Sequence, residues 1–341
     1  MHRGWITGAA VLAAAGAIAA IFVLSPQKDT EKGLPYWAYP LATHPWPKIN
    51  PDETATVPGS DKTLTLREVN NGFAPPDWFP SDHPPMPDIV AHGRKPDVRA
   101  CGYCHLPNGH GRPENAALAG LPAAYIVEQV REMREGTRHS STAKMGSING
   151  MLKIAKASND AEIAIAAQYF AGLKMTRWIR VVETDSVPKT DINTHNMLQI
   201  VPGPQEALGN RILEVPEDIE RTELRDSRLG FIAYVPKGSI ARGKALVESG
   251  AGAYPCAACH GPTYHGNGAV PPLAGRSPSY IVRQLIDFKR GARRRYIRSL
   301  RASVSRALAG QSSRIVSPSP SLALASRKSN RILPWGARSA A

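Results

Sequence analysis

The chain has 341 residues, with 42% hydrophobic residues, 30 prolines, 29 glycines, four cysteines and a formal net charge of +14. That length suits two or three modest domains, and the apolar fraction is enough for real cores. From Phe288 onward there are 13 Lys and Arg and no acidic residue, leaving 29 basic against 28 acidic residues before it. A basic tail on a neutral body gives no ground for a nucleic-acid partner.

In chain order, Trp5 to Leu24 runs without a charge behind Arg3. About twenty such residues span a bilayer as a helix, and Phe22-Val23-Leu24-Ser25-Pro26 is a poor cleavage site. Residues 1–29 are therefore expected to be an uncleaved anchor rather than a removed signal peptide. This implies an inner-membrane protein with a single N-terminal transmembrane helix and its domains in the periplasm. Residues 30–87 read as a Pro-rich arm, mostly extended, with Trp37, Trp46, Trp78 and Phe79 interleaved.

Residues 88–175 begin the first domain, which holds Cys101-Gly102-Tyr103-Cys104-His105. The pattern Cys-x-x-Cys-His is that of covalent c-type haem attachment: two thiols add to the porphyrin, and the adjacent imidazole binds iron. Two short disulfides would leave the histidine unexplained. A four-cysteine zinc site needs its pairs at ribbon spacing, and a thioredoxin-like motif needs a βαβ setting. Beyond His105, Pro122 opens a helix carrying Tyr125, Ile126, Gln129, Val130 and Met133. Ser158 is a candidate cap for a closing helix with Ile163, Ala166, Ala167 and Phe170 on one face. Met145 and Met151, in the glycine-broken loop between these helices, are the candidate sixth ligands; a thioether there raises the potential. His110 is expected to be a solvated loop residue, as is His265 later in the chain.

Residues 176–237 read as a connector with short strands at Trp178–Val182 and Phe231–Val235. His195 and Met197 are taken as connector residues. The second domain, 238–293, carries Cys256-Ala257-Ala258-Cys259-His260. Without gaps, 15 of 38 positions are identical between 101–138 and 256–293, among them Tyr125/Tyr280, Gln129/Gln284 and Arg138/Arg293. One haem-binding unit has been duplicated. The copy then breaks off: position 306, the counterpart of Met151, is arginine, and no methionine follows Met197. Residues 294–341 form a basic tail, expected to be disordered, either a genuine ending or an out-of-frame reading of an ancestral closing helix. The second haem is therefore expected to be weakly packed, without a strong sixth ligand.

The two pentads, the Leu-Ala-Gly turns and the Tyr-Ile-Val-x-Gln helices resemble a tandem dihaem class I cytochrome c. That resemblance implies an all-α fold: two cytochrome c-like domains, the second incomplete, joined by the connector. It favours Met151 over Met145, because the family's ligand methionine precedes an amphipathic closing helix ending like Tyr169-Phe170. The expected site set is Cys101, Cys104, Cys256 and Cys259 for covalent haem, with His105, Met151 and His260 on iron. Two haem c groups and one-electron transfer in a respiratory chain follow. The resemblance implies a quinol-oxidising complex or dehydrogenase as donor and a terminal oxidase as acceptor. The rival readings are a dihaem peroxidase, using an open position at the second haem, and a gas-binding module.

Overall fold

A computed structural model describes residues 33–42, 48–250 and 254–294, all within one compact unit. The proposed anchor at residues 5–24 and the tail from 295 onward, with its frameshift reading, lie outside the described residues. Among the described residues no helix is long and apolar enough to cross a membrane. The longest has 13 residues, about 20 Å of rise against a hydrocarbon core of about 30 Å. The inner-membrane placement with a single anchor is corrected accordingly.

The Pro-rich segment is more than an extended arm. Strand β1 (Thr54–Ala55) pairs antiparallel with β2 (Leu64–Thr65). Helix α1 (Leu66–Val69) starts immediately because Thr65 and Glu68 cap each other reciprocally. Val57, Val69, Trp78 and Phe79 bury one another, and the Trp78 indole donates to Leu224 O at 2.7 Å. Upstream, Leu34, Ala38 and Tyr39 are buried against Met145, Val282 and Ile286, so this segment is wedged between the two repeats.

The first repeat contains α2 (Asp88–Ala91), α3 (Cys101–His105), α4 (Ala123–Arg134), α5 (Gly146–Ala157) and α6 (Asp160–Gly172). Ile126 of α4 meets Ala166, Ala167 and Phe170 of α6, while Val130 and Met133 meet Ala155 and Ile163. Each large apolar side chain so buried contributes about 1.5–3 kcal/mol. The cap of α6 is Asn159, bonded reciprocally with Glu162; Ser158, the expected cap, ends α5 instead. The expected loop around Met151 is helical, since Ile148, Met151, Leu152 and Ala155 turn one face to this cluster. Burial of that face outweighs the roughly 1 kcal/mol cost of each interior glycine.

The connector overturns the all-α expectation. It holds β3 (Ile179–Glu183), β4 (Ser186–Val187), β5 (Thr190–Ile192), β6 (Leu198–Ile200), β7 (Glu206–Ala207), β8 (Leu213–Pro216), α7 (Ile219–Glu223) and β9 (Phe231–Val235). The main sheet runs β3-β9-β8, and β4/β7 and β5/β6 form two small pairs. Strand β3 lies parallel to β9 with Ile179 opposite Phe231, and β8 is antiparallel with Leu213 opposite Tyr234. Phe231, Ala233 and Val235 are buried while Ile232 and Tyr234 are half-buried, the two-residue period of a pleated surface. The molecule is therefore mixed α and β, with helices confined mainly to the repeats.

The second repeat contributes α8 (Ser239–Ser249), α9 (Ala257–His260) and α10 (Pro278–Lys289). It joins the first through residues the duplication kept. Arg138 donates to Gln129 Oε1 (2.7 Å), Tyr280 Oη (3.1 Å) and Gln284 Oε1 (3.0 Å). Arg293 donates to Gln129 and Gln284, at 2.7 and 3.0 Å, and to Tyr125. The pattern is a quasi-twofold clasp, closed by His139 N donating to Ala292 O at 2.8 Å.

Candidate functional site

In α3 one helical turn puts Cys101 and Cys104 on the same side, three residues apart, and both thiols are free. The turn docks closely on α2: a Cβ on Gly102 would stand 3.0 Å from Val90 O. Burial pushes the Cys101 thiol up to about 12 and raises Cys104 as well. His105 is 9% exposed, and burial lowers its pKa, favouring neutral imidazole. Its Nδ1 lies 2.8 Å from Ala116 O. A carbonyl only accepts, so Nδ1 carries the proton and Nε2 presents its lone pair. This is the backbone contact that orients a metal-binding histidine. From α6, Phe170 meets the imidazole edge-on at 6.0 Å, and the Tyr169 hydroxyl donates to Pro107 O at 2.7 Å.

The second turn repeats the essential geometry. His260 Nδ1 lies 2.8 Å from Pro271 O, again 11 residues on, and Cys256 and Cys259 are free. Here Cys259 is exposed, and Cys256 and His260 are half-buried. Among the described residues no group of three or more His, Cys, Asp or Glu is placed to hold a metal ion. Each turn thus supplies two thiols and one imidazole lone pair, which suits an iron whose other ligands come largely from a porphyrin.

No family model matches the chain. It is 27% identical over 200 residues to cytochrome c4 of Azotobacter vinelandii, spanning 57% of this chain and 69% of that protein. Over 219 residues it is 27% identical to a thiosulfate dehydrogenase electron acceptor of Stutzerimonas stutzeri, 63% of this chain and 75% of the relative. A 38-residue stretch is 47% identical to the cytochrome subunit of sulfide dehydrogenase of Chlorobaculum tepidum, 11% of this chain and 34% of that one. The chain carries two haem c groups and transfers electrons.

The two methionines considered as sixth ligands lie apart. Met145 is 1% exposed and packs with Leu34, Ala38 and Tyr39. Met151 packs on α5 against Val130, Met133 and Ile163. His110 is not solvated: it is 7% exposed, stacks on Trp178 at 5.8 Å, and bonds Thr176 through Nε2 at 3.0 Å. Burial, helped by Arg276, pushes its pKa down to about 4. His265 is exposed. Sequence reasoning missed the residues that tie the repeats together around these sites. Trp178 donates to Gly275 O at 2.9 Å, and Arg276 donates to Ala117 O and Ala119 O at 2.8 and 2.7 Å. The Leu-Ala-Gly turns of both repeats are thereby pinned together. Their recurrence in the sequence was the signal, but it carried no information on what they touch.

Proposed function

We propose that the chain relays single electrons from a dehydrogenase or quinol-oxidising complex to an acceptor such as a terminal oxidase, with the second site as its port. The duplicated Nδ1–carbonyl bond carries the haem reading, since it leaves one Nε2 lone pair at each turn. Cysteine thioethers fix the porphyrin at Cys101, Cys104, Cys256 and Cys259, while His105 and His260 hold iron. When bound, the haem supplies the one-electron couple. The guanidiniums of Arg138 and Arg293, buried on neutral acceptors, suit the propionates at a haem's carboxylate edge. The exposed Cys259 side marks where a partner approaches most closely, and relatives named for thiosulfate and sulfide dehydrogenases favour a dehydrogenase donor.

Met151 is the proposed sixth ligand of the first iron, on the resemblance of its segment to the family's. The Met151→Ala protein is expected to gain a high-spin EPR signal from the first haem beyond that of the wild type, and Met145→Ala to keep the wild-type spin state with lower thermal stability. The reverse result would assign Met145. Stopped-flow mixing with a reduced dehydrogenase checks the carrier role: both haems should reduce, the second first. The peroxidase reading is disfavoured by Asp287, the only carboxylate after His265. Its Oδ1 accepts from Tyr39 Oη (2.8 Å), Ser141 N (2.9 Å) and Ser141 Oγ (2.7 Å), which ties it into packing.

A further inference from the structure

Four stretches distant in sequence meet around one small cavity. Trp37 comes from the N-terminal segment, Glu114 from the loop after His105, Asn196 and Glu214 from the connector, and Ser279 and Arg283 from α10. The space is about 10 Å³, room for about one water molecule. Glu214 is 2% exposed. Its Oε2 accepts from Ser277 Oγ at 2.7 Å and from Ser279 N at 3.1 Å, whereas Oε1 has no hydrogen-bond partner among the described residues. Glu114 is 6% exposed, with Oε1 2.9 Å from Arg112 Nε and Oε2 without a hydrogen-bond partner among the described residues.

The surrounding charges do not neutralise both acids. Arg283 directs its NH groups to the Ala38 and Pro113 carbonyls rather than to a carboxylate. Arg112 sits with Glu114, His195 is paired with Glu223 at 2.9 Å, and Arg225 donates to Val69 O and Tyr103 O. A buried carboxylate with a free oxygen is costly as an anion and much less so as an acid. Both proximal loops reach the cavity. Glu114 stands two residues before Ala116, the acceptor for His105. Glu214 grips the Ser277–Ser279 start of α10, which follows the Pro271 acceptor for His260.

We propose that Glu114 and Glu214 form a buried proton site coupled to the haems: when a haem gains an electron, this carboxylate pair takes up a proton. The proposal rests on the dihaem reading. In the balanced step, a one-electron donor protein converts Fe(III) to Fe(II), and a solvent proton converts one carboxylate to carboxylic acid. Reoxidation returns both. Burial raises the pKa of each acid, offset for Glu114 by Arg112 and for Glu214 by its serine bonds. An added electron nearby raises it further, so the haem potential falls as pH rises between the two values.

The test uses the full chain matured with both haems. Covalent haem content and the optical spectrum come first; their absence would refute the haem reading and leave no question of coupling. With two haems present, potentiometric titration over a pH series should show a potential that falls with pH. Redox difference infrared spectra should show a protonated carboxyl band gained on reduction. Glu214→Gln and, separately, Glu114→Gln should flatten the pH dependence, and at least one should abolish the infrared band while keeping both haems. A pH-independent potential in the wild type, or a dependence and band unchanged in both variants, overturns the proposal. The infrared measurement on the wild type stands even if a variant fails to fold.

Discussion

At the first turn His105 is 9% exposed and faces Phe170 of the closing helix, whereas at the second His260 is half-buried and Cys259 is at the surface. The helices that follow differ in the same way. Val130 and Met133 of α4 are 9% and 6% exposed; Leu285 and Phe288, their counterparts on α10, are 62% and 37% exposed. The shared cysteine and histidine spacing therefore reproduces the turn and its Nδ1 bond, because these need only residues within 11 positions. It does not reproduce the burial, which α5 and α6 supply from farther along the chain. Among the described residues the first site is the more enclosed and the second the more exposed.

That contrast can be broken most directly at the thiols. Replacing Cys101 and Cys104 by Ala should drop the haem-to-protein ratio from two to one and unfold much of the first repeat, whose core includes Cys101. The same change at Cys256 and Cys259 should also leave one haem but barely move the main thermal transition. Equal effects on stability would erase the distinction. Next in size, Phe170→Ala should destabilise the first repeat by about 3–5 kcal/mol in denaturant titration, without shifting the second haem's spectrum.

The two repeated histidines sharpen the comparison through pH. His110 holds a pKa of about 4 in the fold, below the ordinary value near 6.5. The unfolded chain then binds the extra proton first. Stability from this group is complete above about pH 6.5 and is lost as pH falls towards 4, by roughly 3 kcal/mol. Chemical denaturation at pH 7 and 4.5 should show the loss, and His110→Gln should reduce it. His265→Gln, at the exposed counterpart, should change nothing. The smallest effect concerns the residue ending each turn. Leu106 and Gly261 have φ of 61° and 80°, and a Cβ on Gly261 would meet Gly266 O at 2.9 Å. Gly261→Leu should cost about 1–3 kcal/mol, readable as a lower melting temperature of the second repeat.

Much of the site was legible because its chemistry is short-range. Cysteine and histidine at fixed spacing, and the repeat at constant offset, need no knowledge of the remainder. The strands at β3 and β9 lie where β-branched and aromatic residues cluster. Their parallel pairing, though, joins residues some 50 positions apart and could not be read from either stretch. The α5 helix was misread as a loop because its two glycines are visible locally, while the cluster that stabilises it is not. His110 was misplaced for the same reason: its neighbours Thr176 and Trp178 come from beyond the first repeat.

By itself, then, the sequence located the two Cys-x-x-Cys-His turns proposed to attach haem, and showed that the unit was copied, because those depend on residues within a turn and the loop beside it. Only the tertiary structure decided which copy is shielded, that Arg138 and Arg293 clasp the repeats, and that Glu114 and Glu214 share one cavity. Burial and the charge it isolates depend on which distant segments pack together, and no local pattern encodes that.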